Sequence, residues 1–321
     1  MYRKLQAEGD QDMSFMNRSN HAGASHYQGK VRLSERFAPR LLQLIALLSV
    51  LTTVGILVIL ISESTGFFRE VSIVEFLTNP KWTPLFSSQN FGVMPLVAGT
   101  MMVTLGACVV AVPLGLGSAI YLSEYAPEKV RKAIKPVLEI LAGIPTIVYG
   151  FFALNVVTPF LERIFPSITM FNALSASIVV GIMILPMISS LSEDAMSSVP
   201  RSIRNAAYAL ASTKLEVAMK VVFPAALSGV VASIVLALSR AVGETMIVTL
   251  AAGALPNLNF DYLSSIQTMT AYIVQISKGD VPHGSLKYLT IFAVGLTLFV
   301  ITFAMNILAK YIAERFKEDY Q

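Results

Sequence analysis

Long apolar runs separated by short polar segments dominate this chain from residue 41 onwards. The first run, Leu41–Ile61, has 21 residues and no charged side chain, close to the ~20 residues that a helix needs to cross ~30 Å of hydrocarbon. Five further apolar runs follow it. The pattern predicts six transmembrane helices at about 41–61, 95–121, 140–161, 174–192, 227–250 and 288–309.

Composition agrees with this pattern. Charged residues make up 14% and hydrophobic residues 55% of the chain, whereas soluble domains carry about a quarter charged residues. We therefore expect an all-α membrane protein with a six-helix domain at 39–312. The polar segment 1–38 is predicted to be a flexible cytoplasmic tail, and 313–321 a second, short cytoplasmic tail. The single cysteine, Cys108, rules out a disulfide framework within the chain.

The distribution of basic residues predicts the orientation. Eighteen Lys and Arg residues lie near the two termini and in the second–third and fourth–fifth connections, against five in the opposite connections. Basic residues accumulate on the cytoplasmic side of membrane proteins. Both termini are therefore expected in the cytoplasm, and the net charge of +4 is interpreted as a set of orientation signals rather than a nucleic-acid surface.

The fourth–fifth connection, Ser192–Leu227, is unusually long and is called the coupling segment below. Pro200 suits the start of a helix, and small apolar residues then recur at helical spacing, at Ile203, Ala206, Ala207 and Leu210. A second short helix is predicted at Lys214–Val222, ending before Pro224. The pattern leaves two interpretations open: an amphipathic connector on the membrane surface, or a helix pair that docks into a cytoplasmic partner.

Two charged residues, Arg240 and Glu244, fall inside the fifth apolar run. Residues four apart share one face of a continuous helix, and each charge at mid-membrane depth costs about 2.5–3.5 kcal/mol on insertion scales. One interpretation is a self-neutralising pair that locks the helices. The other is a guanidinium that lines the path of an anion, with Glu244 holding it. Glu139, near the start of the third run, is expected to reach the membrane surface or to pair locally.

The coupling segment resembles the EAA loop of ABC-importer permeases, in which E-A-A is followed at fixed spacing by Gly and I-x-L-P. Here Asn205-Ala206-Ala207 precedes Ala211 and the final Pro224 at every expected spacing. Asn205 replaces the acid and Ala211 the glycine, and alanine is strained at the positive φ that glycine tolerates. The resemblance implies an ATPase-docking role for Arg201, Arg204, Asn205, Ala206, Ala207, Ala211 and Pro224.

Four further stretches, 95–105, 113–131, 141–154 and 239–253, resemble the PstC family of phosphate-importer permeases. The resemblance runs over most of residues 40–312. It implies the type I ABC-importer permease fold in a bacterial inner membrane and a heterodimer with a PstA-like permease. Two PstB-like ATPase subunits and an external phosphate-binding protein would complete the importer. It also implies that Arg240 and Glu244 take part in the passage of phosphate.

The chain has no G-x-x-x-x-G-K-[ST] motif for binding ATP, because its one Gly-Lys pair, Gly29-Lys30, is followed by valine. We therefore expect a membrane subunit rather than an enzyme, without a metal or cofactor of its own, and with ATP and Mg bound by the partner ATPase. Two alternatives are carried forward. One is a permease for another oxyanion, such as molybdate or sulfate. The other is a secondary transporter driven by an ion gradient, with Glu244 as its proton carrier.

Overall fold

The structure, a computed structural model, describes residues 33–315, and its regular elements there are all helical apart from one bridge between Trp82 and Phe91. The α-helices are α1 Leu33–Glu70, α2 Ile73–Thr78, α3 Met94–Ile120, α4 Glu128–Gly143, α5 Thr146–Phe152, α6 Thr158–Glu162, α7 Ala173–Ser197, α8 Arg201–Ala209, α9 Lys214–Glu216, α10 Phe223–Ala225, α11 Leu227–Val242, α12 Met246–Ala251, α13 Met269–Lys278 and α14 Leu286–Arg315. Three segments are π-helical. Tyr121–Tyr125 continues α3, Ala153–Val157 joins α5 to α6, and Val217–Val222 joins α9 to α10. The predicted tails lie largely outside the described residues.

The all-helical membrane architecture is confirmed. Four helices in the described part of the chain are long and apolar enough to cross a membrane: Pro39–Glu70, Met94–Tyr125, Ala173–Ser197 and Leu286–Ile312. Two further helix pairs are apolar enough but sharply bent, Glu128–Gly143 with Thr146–Glu162 at 89° and Lys214–Ala225 with Leu227–Val242 at 71°. The count is four straight spans, or six if each bent pair crosses the membrane once.

The predicted third span, 140–161, is wrong as a straight helix because it crosses a sharp bend. Ile144 is extended, with φ −65° and ψ 129°, and Pro145 follows it. Proline disfavours the helical conformation in the residue before it and donates no backbone hydrogen bond. Helix α4 therefore ends at Gly143, and the chain turns through 89° into α5.

The coupling segment also differs from its predicted bounds. Helix α7 continues to Ser197, so the first residues of the predicted segment, including Ser192 and Glu193, are still helical and buried. At the other end, helical backbone runs past Pro224 to Ala225. A π-helical turn, Val217–Val222, precedes this proline. The segment therefore consists of two helical arms, α8 and the continuous run 214–225.

Helices α3 and α7 pack closely through small residues. A Cβ added at Gly106 would lie 2.6 Å from Oγ of Ser177, and one added at Gly115 would lie 2.8 Å from a methyl carbon of Ile188. Close approach of this kind drives helix association in lipid. These glycines let α3 and α7 approach closely, and α7 leads directly into the coupling segment.

A second cluster of buried side chains is aromatic and includes Phe67, Phe76, Phe91 and Tyr272. Trp82 joins it at 2% exposure, with its ring edge-on to Tyr272 at 4.9 Å between centroids. Edge-on contacts of this kind hold the Trp82 ring inside the cluster.

The described residues belong to two compact units, one ending at Val58 and the other starting at Ile59. The described part of the first unit is the helix from Leu33 to Val58. All three hydrophobic clusters belong to the second unit. The predicted domain boundaries at 38 and 312 stay a prediction.

Candidate functional site

Arg240 and Glu244 do not share a helix face, so that part of the sequence interpretation is wrong. Helix α11 ends at Val242, and Gly243 and Glu244 form a break before α12. The Glu244 carboxylate accepts the backbone N–H groups of Met246 and Ile247 at 3.0 and 3.2 Å. Glu244 is buried, and its carboxylate satisfies N–H groups that the start of a helix leaves unpaired. It acts as the cap of α12.

Arg240 instead lies on the wall of a cavity. Its side chain is exposed in the last turn of α11, and none of the ion pairs among the described residues includes it. The cavity has a volume of about 390 Å³ and lies between α4, α7 and α11. Its polar lining residues are Lys135, Glu139, Ser190 and Arg240, and the rest of the wall is apolar.

The cavity wall is continuous with a cluster of ion pairs that sequence reasoning missed. Glu193, fully buried on α7, pairs with Arg131 and Lys135 of α4. Ser197 donates to the same carboxylate at 2.9 Å, and Lys135 also lies 3.2 Å from Asp194. A buried carboxylate is tolerated when it is paired and hydrogen-bonded. The pairs therefore fasten α4 to the end of α7.

Arg131 and Lys135 had been interpreted only as orientation signals. Their spacing of four residues, which places both on one face of α4, was the signal available in the sequence. Helix α4 is also strongly amphipathic in its sequence, with no buried residue along its 16-residue length. The sequence offered no signal that Glu193 is their partner, because it lies 62 residues from Arg131 along the chain.

Ala211 occupies the turn between the two arms of the coupling segment. Its φ is +59°, and it is the one non-glycine residue with positive φ in the part of the chain that the structure describes. The N–H of Ser212 donates to the Ala207 carbonyl at 3.3 Å, and the N–H of Ala211 to the Tyr208 carbonyl at 2.9 Å. These two bonds form a Schellman motif, in which glycine is the usual residue. Ala211 therefore has the positive φ that glycine tolerates and that is unfavourable for alanine.

The second arm begins with a capping box. The Thr213 hydroxyl accepts the N–H of Glu216, and the Glu216 carboxylate accepts the N–H of Thr213 at 3.0 Å. The hydrogen bond from the Thr213 N–H lowers the pKa of the exposed Glu216 carboxyl to about 2. The Lys220 ammonium, 3.1 Å from the same carboxylate, adds to this effect. The second arm therefore starts directly after Thr213. This start limits the length of the turn that contains Ala211.

The predicted docking residues fall into two groups. Arg201, Asn205, Ala206 and Pro224 are exposed. Arg204 is turned inward: it donates to the carbonyls of Met196 and Val199 and lies 3.0 Å from the Glu124 carboxylate. Arg204 therefore fastens α8 to the end of α7 and to the π-turn that follows α3.

The apolar face predicted for α8 is also divided. Ile203 and Ala207 pack against the cluster of Met196, Val199 and Val217 beneath the segment, whereas Leu210 is 83% exposed. Further exposed apolar side chains lie nearby on both arms. We call this set the apolar tip: Tyr208, Leu210, Leu215 and Met219.

These features define a class of protein: a helical membrane protein with a largely apolar cavity that contains two cations, and with a structured helix pair between two of its apolar helices. The comparison with known families gives the particular group. Residues 111–318 match the family described as "Binding-protein-dependent transport system inner membrane component", and the chain belongs to this family. It is a multi-pass inner-membrane subunit, and its interpretation as a membrane subunit rather than an enzyme is confirmed.

Relatives of known name lie within the same group. A probable ABC transporter permease protein of Bacillus subtilis, YqgH, is 38% identical over 250 residues, covering 77% of this chain and 80% of its own. The phosphate transport system permease protein PstC of Mesorhizobium japonicum is 35% identical, covering 75% of this chain and 78% of its own. PstC of Haemophilus influenzae is 32% identical, with 86% and 93% covered. The predicted resemblance to PstC is confirmed.

Solved structures show the fold. A chain of a bacterial alginate ABC transporter in complex with its periplasmic protein superposes with a TM-score of 0.60 at 15% identity, covering 89% of this chain and 99% of that one. A chain of the inward-facing MetNI methionine ABC transporter gives a TM-score of 0.50 at 19% identity, with 69% and 94% covered. The predicted ABC-importer permease fold is confirmed. Permeases of this kind work with an ATPase and a substrate-binding protein.

Proposed function

We propose that this chain is the permease subunit of an ATP-driven importer of inorganic phosphate and forms half of its translocation path. The observation that carries the proposal is the exposed Arg240 guanidinium on the wall of the cavity between α4, α7 and α11. The names of the PstC relatives supply the substrate. A planar guanidinium offers paired N–H donors that match two oxygens of a phosphate group.

Arg240 is suited to weak and reversible binding. It lies in the last turn of α11, where the negative end of the helix dipole partly offsets its charge. Glu244 adds a negative charge nearby while its carboxylate holds the break between α11 and α12. We assign Glu244 to the path as the residue that positions this break, rather than as the direct partner of Arg240. A site that binds weakly can release the ion.

The importer needs further subunits. We propose a heterodimer with a PstA-like permease, two PstB-like ATPase subunits that bind ATP and Mg, and an external phosphate-binding protein. The excess of basic residues in alternate connections supports an orientation with both termini and the coupling segment in the cytoplasm. The connections 62–94 and 256–287 would then face the binding protein.

The ATPase would dock on the apolar tip of the coupling segment. Its four exposed apolar side chains lie on two arms joined by the Ala211 turn. Arg204 and the partly buried Ile203 and Ala207 hold the first arm against α7. When the ATPase moves the tip, α7 and α11 would therefore move with it as one packed unit. Alternating access between two rigid arrangements requires such a unit.

Uptake by the assembled importer in proteoliposomes tests the proposal. Labelled phosphate should accumulate only with ATP inside, and unlabelled sulfate or molybdate in excess should leave uptake unchanged. Inhibition of phosphate uptake by sulfate or molybdate would indicate that the inhibiting oxyanion, rather than phosphate, is the substrate. Uptake that an uncoupler abolishes while ATP is held constant would favour the secondary transporter instead.

A further inference from the structure

We propose that Lys135 and Arg240 together form a two-cation oxyanion site in the cavity between α4, α7 and α11, and that Glu139 keeps this site weak. The inference deepens the proposed function and rests on it, because it takes the substrate to be an oxyanion. Lys135 was not among the residues that the sequence singled out. The structure brings it to the same cavity as Arg240, 105 residues further along the chain.

The cavity has the size and the chemistry for such a site. Its volume of about 390 Å³ is large against a single phosphate ion, so a partly hydrated ion fits. Most of its wall is apolar, and electrostatic attraction is stronger beside an apolar wall than in open water. Ser190 adds a hydroxyl that can donate to an oxyanion.

Lys135 is held so that it can face an anion. Its ammonium lies 2.5 Å from the Glu193 carboxylate and 3.2 Å from Asp194. A lysine ammonium has three N–H donors, so these two contacts leave one donor for a ligand. Glu193 also receives Arg131 and Ser197, and its charge therefore stays compensated when Lys135 shares its donors with an anion.

The overall charge balance explains why the site would release its ion. Lys135 and Arg131 are balanced by Glu193 and Asp194, and Glu139 lines the same cavity as Arg240. The two cations attract the oxygens of a passing ion, while the Glu139 carboxylate repels them. We infer that Lys135 binds the anion and that Glu139 limits how long it stays.

A cysteine placed in the cavity tests this inference directly. In a Cys108→Ser background, Ser190→Cys introduces a thiol on the wall while both cations remain. An anionic methanethiosulfonate reagent should label it faster than a cationic one, and inorganic phosphate should slow the labelling. The phosphate concentration that halves the labelling rate measures occupancy in the assembled importer.

Lys135→Gln should raise this half-protecting concentration about tenfold, the size of losing one charge-assisted hydrogen bond. Glu139→Gln should lower it and also slow turnover, because the ion leaves more slowly. Two controls retain Lys135. Lys132→Gln removes an exposed lysine on the same helix, and Asp194→Asn removes one partner of Lys135 without removing the cation. Lys132→Gln should leave protection unchanged, and Asp194→Asn, which frees an N–H donor of Lys135, should not weaken it.

Unchanged protection in Lys135→Gln would overturn the inference, and so would equal losses in Lys135→Gln and Asp194→Asn, since those indicate a structural role. Tighter protection in Lys135→Gln would also contradict it. Failure of the proposed function looks different. In that case phosphate would protect the thiol in no variant, and wild-type proteoliposomes would take up no labelled phosphate.

Discussion

At the scale of single residues, the most informative position is Ala211, whose backbone conformation is unfavourable for a residue with a side chain. Ala211 has a φ of +59°, a conformation that costs an L-residue about 1–2 kcal/mol and that glycine adopts freely. The sequence alone identified this residue, because its place in the EAA-like spacing is one where glycine is usual. The Schellman hydrogen bonds of Ala211 and Ser212 give the physical reason.

We therefore expect Ala211→Gly to stabilise the protein by about 0.5–1 kcal/mol, since relief of strain exceeds the added entropy of the unfolded chain. Ala206→Gly is the matched control, because Ala206 is exposed within α8 and the same exchange should destabilise there by about 0.5–1 kcal/mol. Thermal unfolding of the purified subunit in detergent measures both. A lower melting temperature for Ala211→Gly would contradict the assignment of strain.

The Glu193 cluster gives a second prediction at this scale. Glu193→Gln should destabilise the protein by about 2–3 kcal/mol, less than the ~3–5 kcal/mol of a fully buried pair, because Arg131 and Lys135 are about one-third exposed. Glu128→Gln breaks the exposed pair with Lys132 and should change stability by under ~1 kcal/mol. Equal effects of the two changes on thermal unfolding would refute a fastening role for Glu193.

At the scale of elements, periodicity predicted where helices exist better than where they bend. The apolar runs located the four straight spans, and the contact of α3 with α7 runs through small residues. The bends at Ile144–Pro145 and at Gly243 were missed, because hydropathy averages over a window and a break of one or two residues leaves the average unchanged. The proline at 145 was visible, but prolines also occur in kinked continuous spans.

The breaks matter for function, because they decide which side chains meet. A continuous helix would have paired Arg240 with Glu244. Because the helix breaks at Gly243, the Glu244 carboxylate binds the N–H groups at the start of α12. Arg240 is left on the wall of the cavity. Long-range partners such as Glu193 and Lys135 depend on the packing of α4 against α7, which no local pattern in the sequence contains.

The docking prediction belongs to this scale. Replacing Leu210 and Leu215 with Glu should greatly reduce co-purification of the ATPase, because both exposed side chains belong to the apolar tip. Phe260→Glu is the matched control: Phe260 is 74% exposed in the connection 256–287, which the proposed orientation places on the side opposite the ATPase, and this change should leave ATPase binding unchanged. Ile203→Glu should instead lower stability, since Ile203 packs inward. Undiminished co-purification of the double variant would remove the apolar tip as the docking surface.

At the scale of the whole molecule, the sequence predicted the class, the fold and the family, and it named Arg240 as the residue most concerned with the substrate. Composition and the apolar runs carried the class, and the EAA-like spacing with the four PstC-like stretches carried the family. The structure added the cavity and the cluster of ion pairs that holds its wall. We propose a permease in which Arg240 contacts an oxyanion inside a cavity whose α7 wall is fastened to the coupling segment.

Phosphate uptake by importers that carry Arg240→Ala tests this claim most directly, with Arg240→Lys as the variant that keeps the charge but loses the planar fork. Uptake should be abolished in Arg240→Ala and partly retained in Arg240→Lys, while both variants assemble with the ATPase as the wild type does. Near-normal phosphate uptake by a fully assembled Arg240→Ala importer would contradict the account.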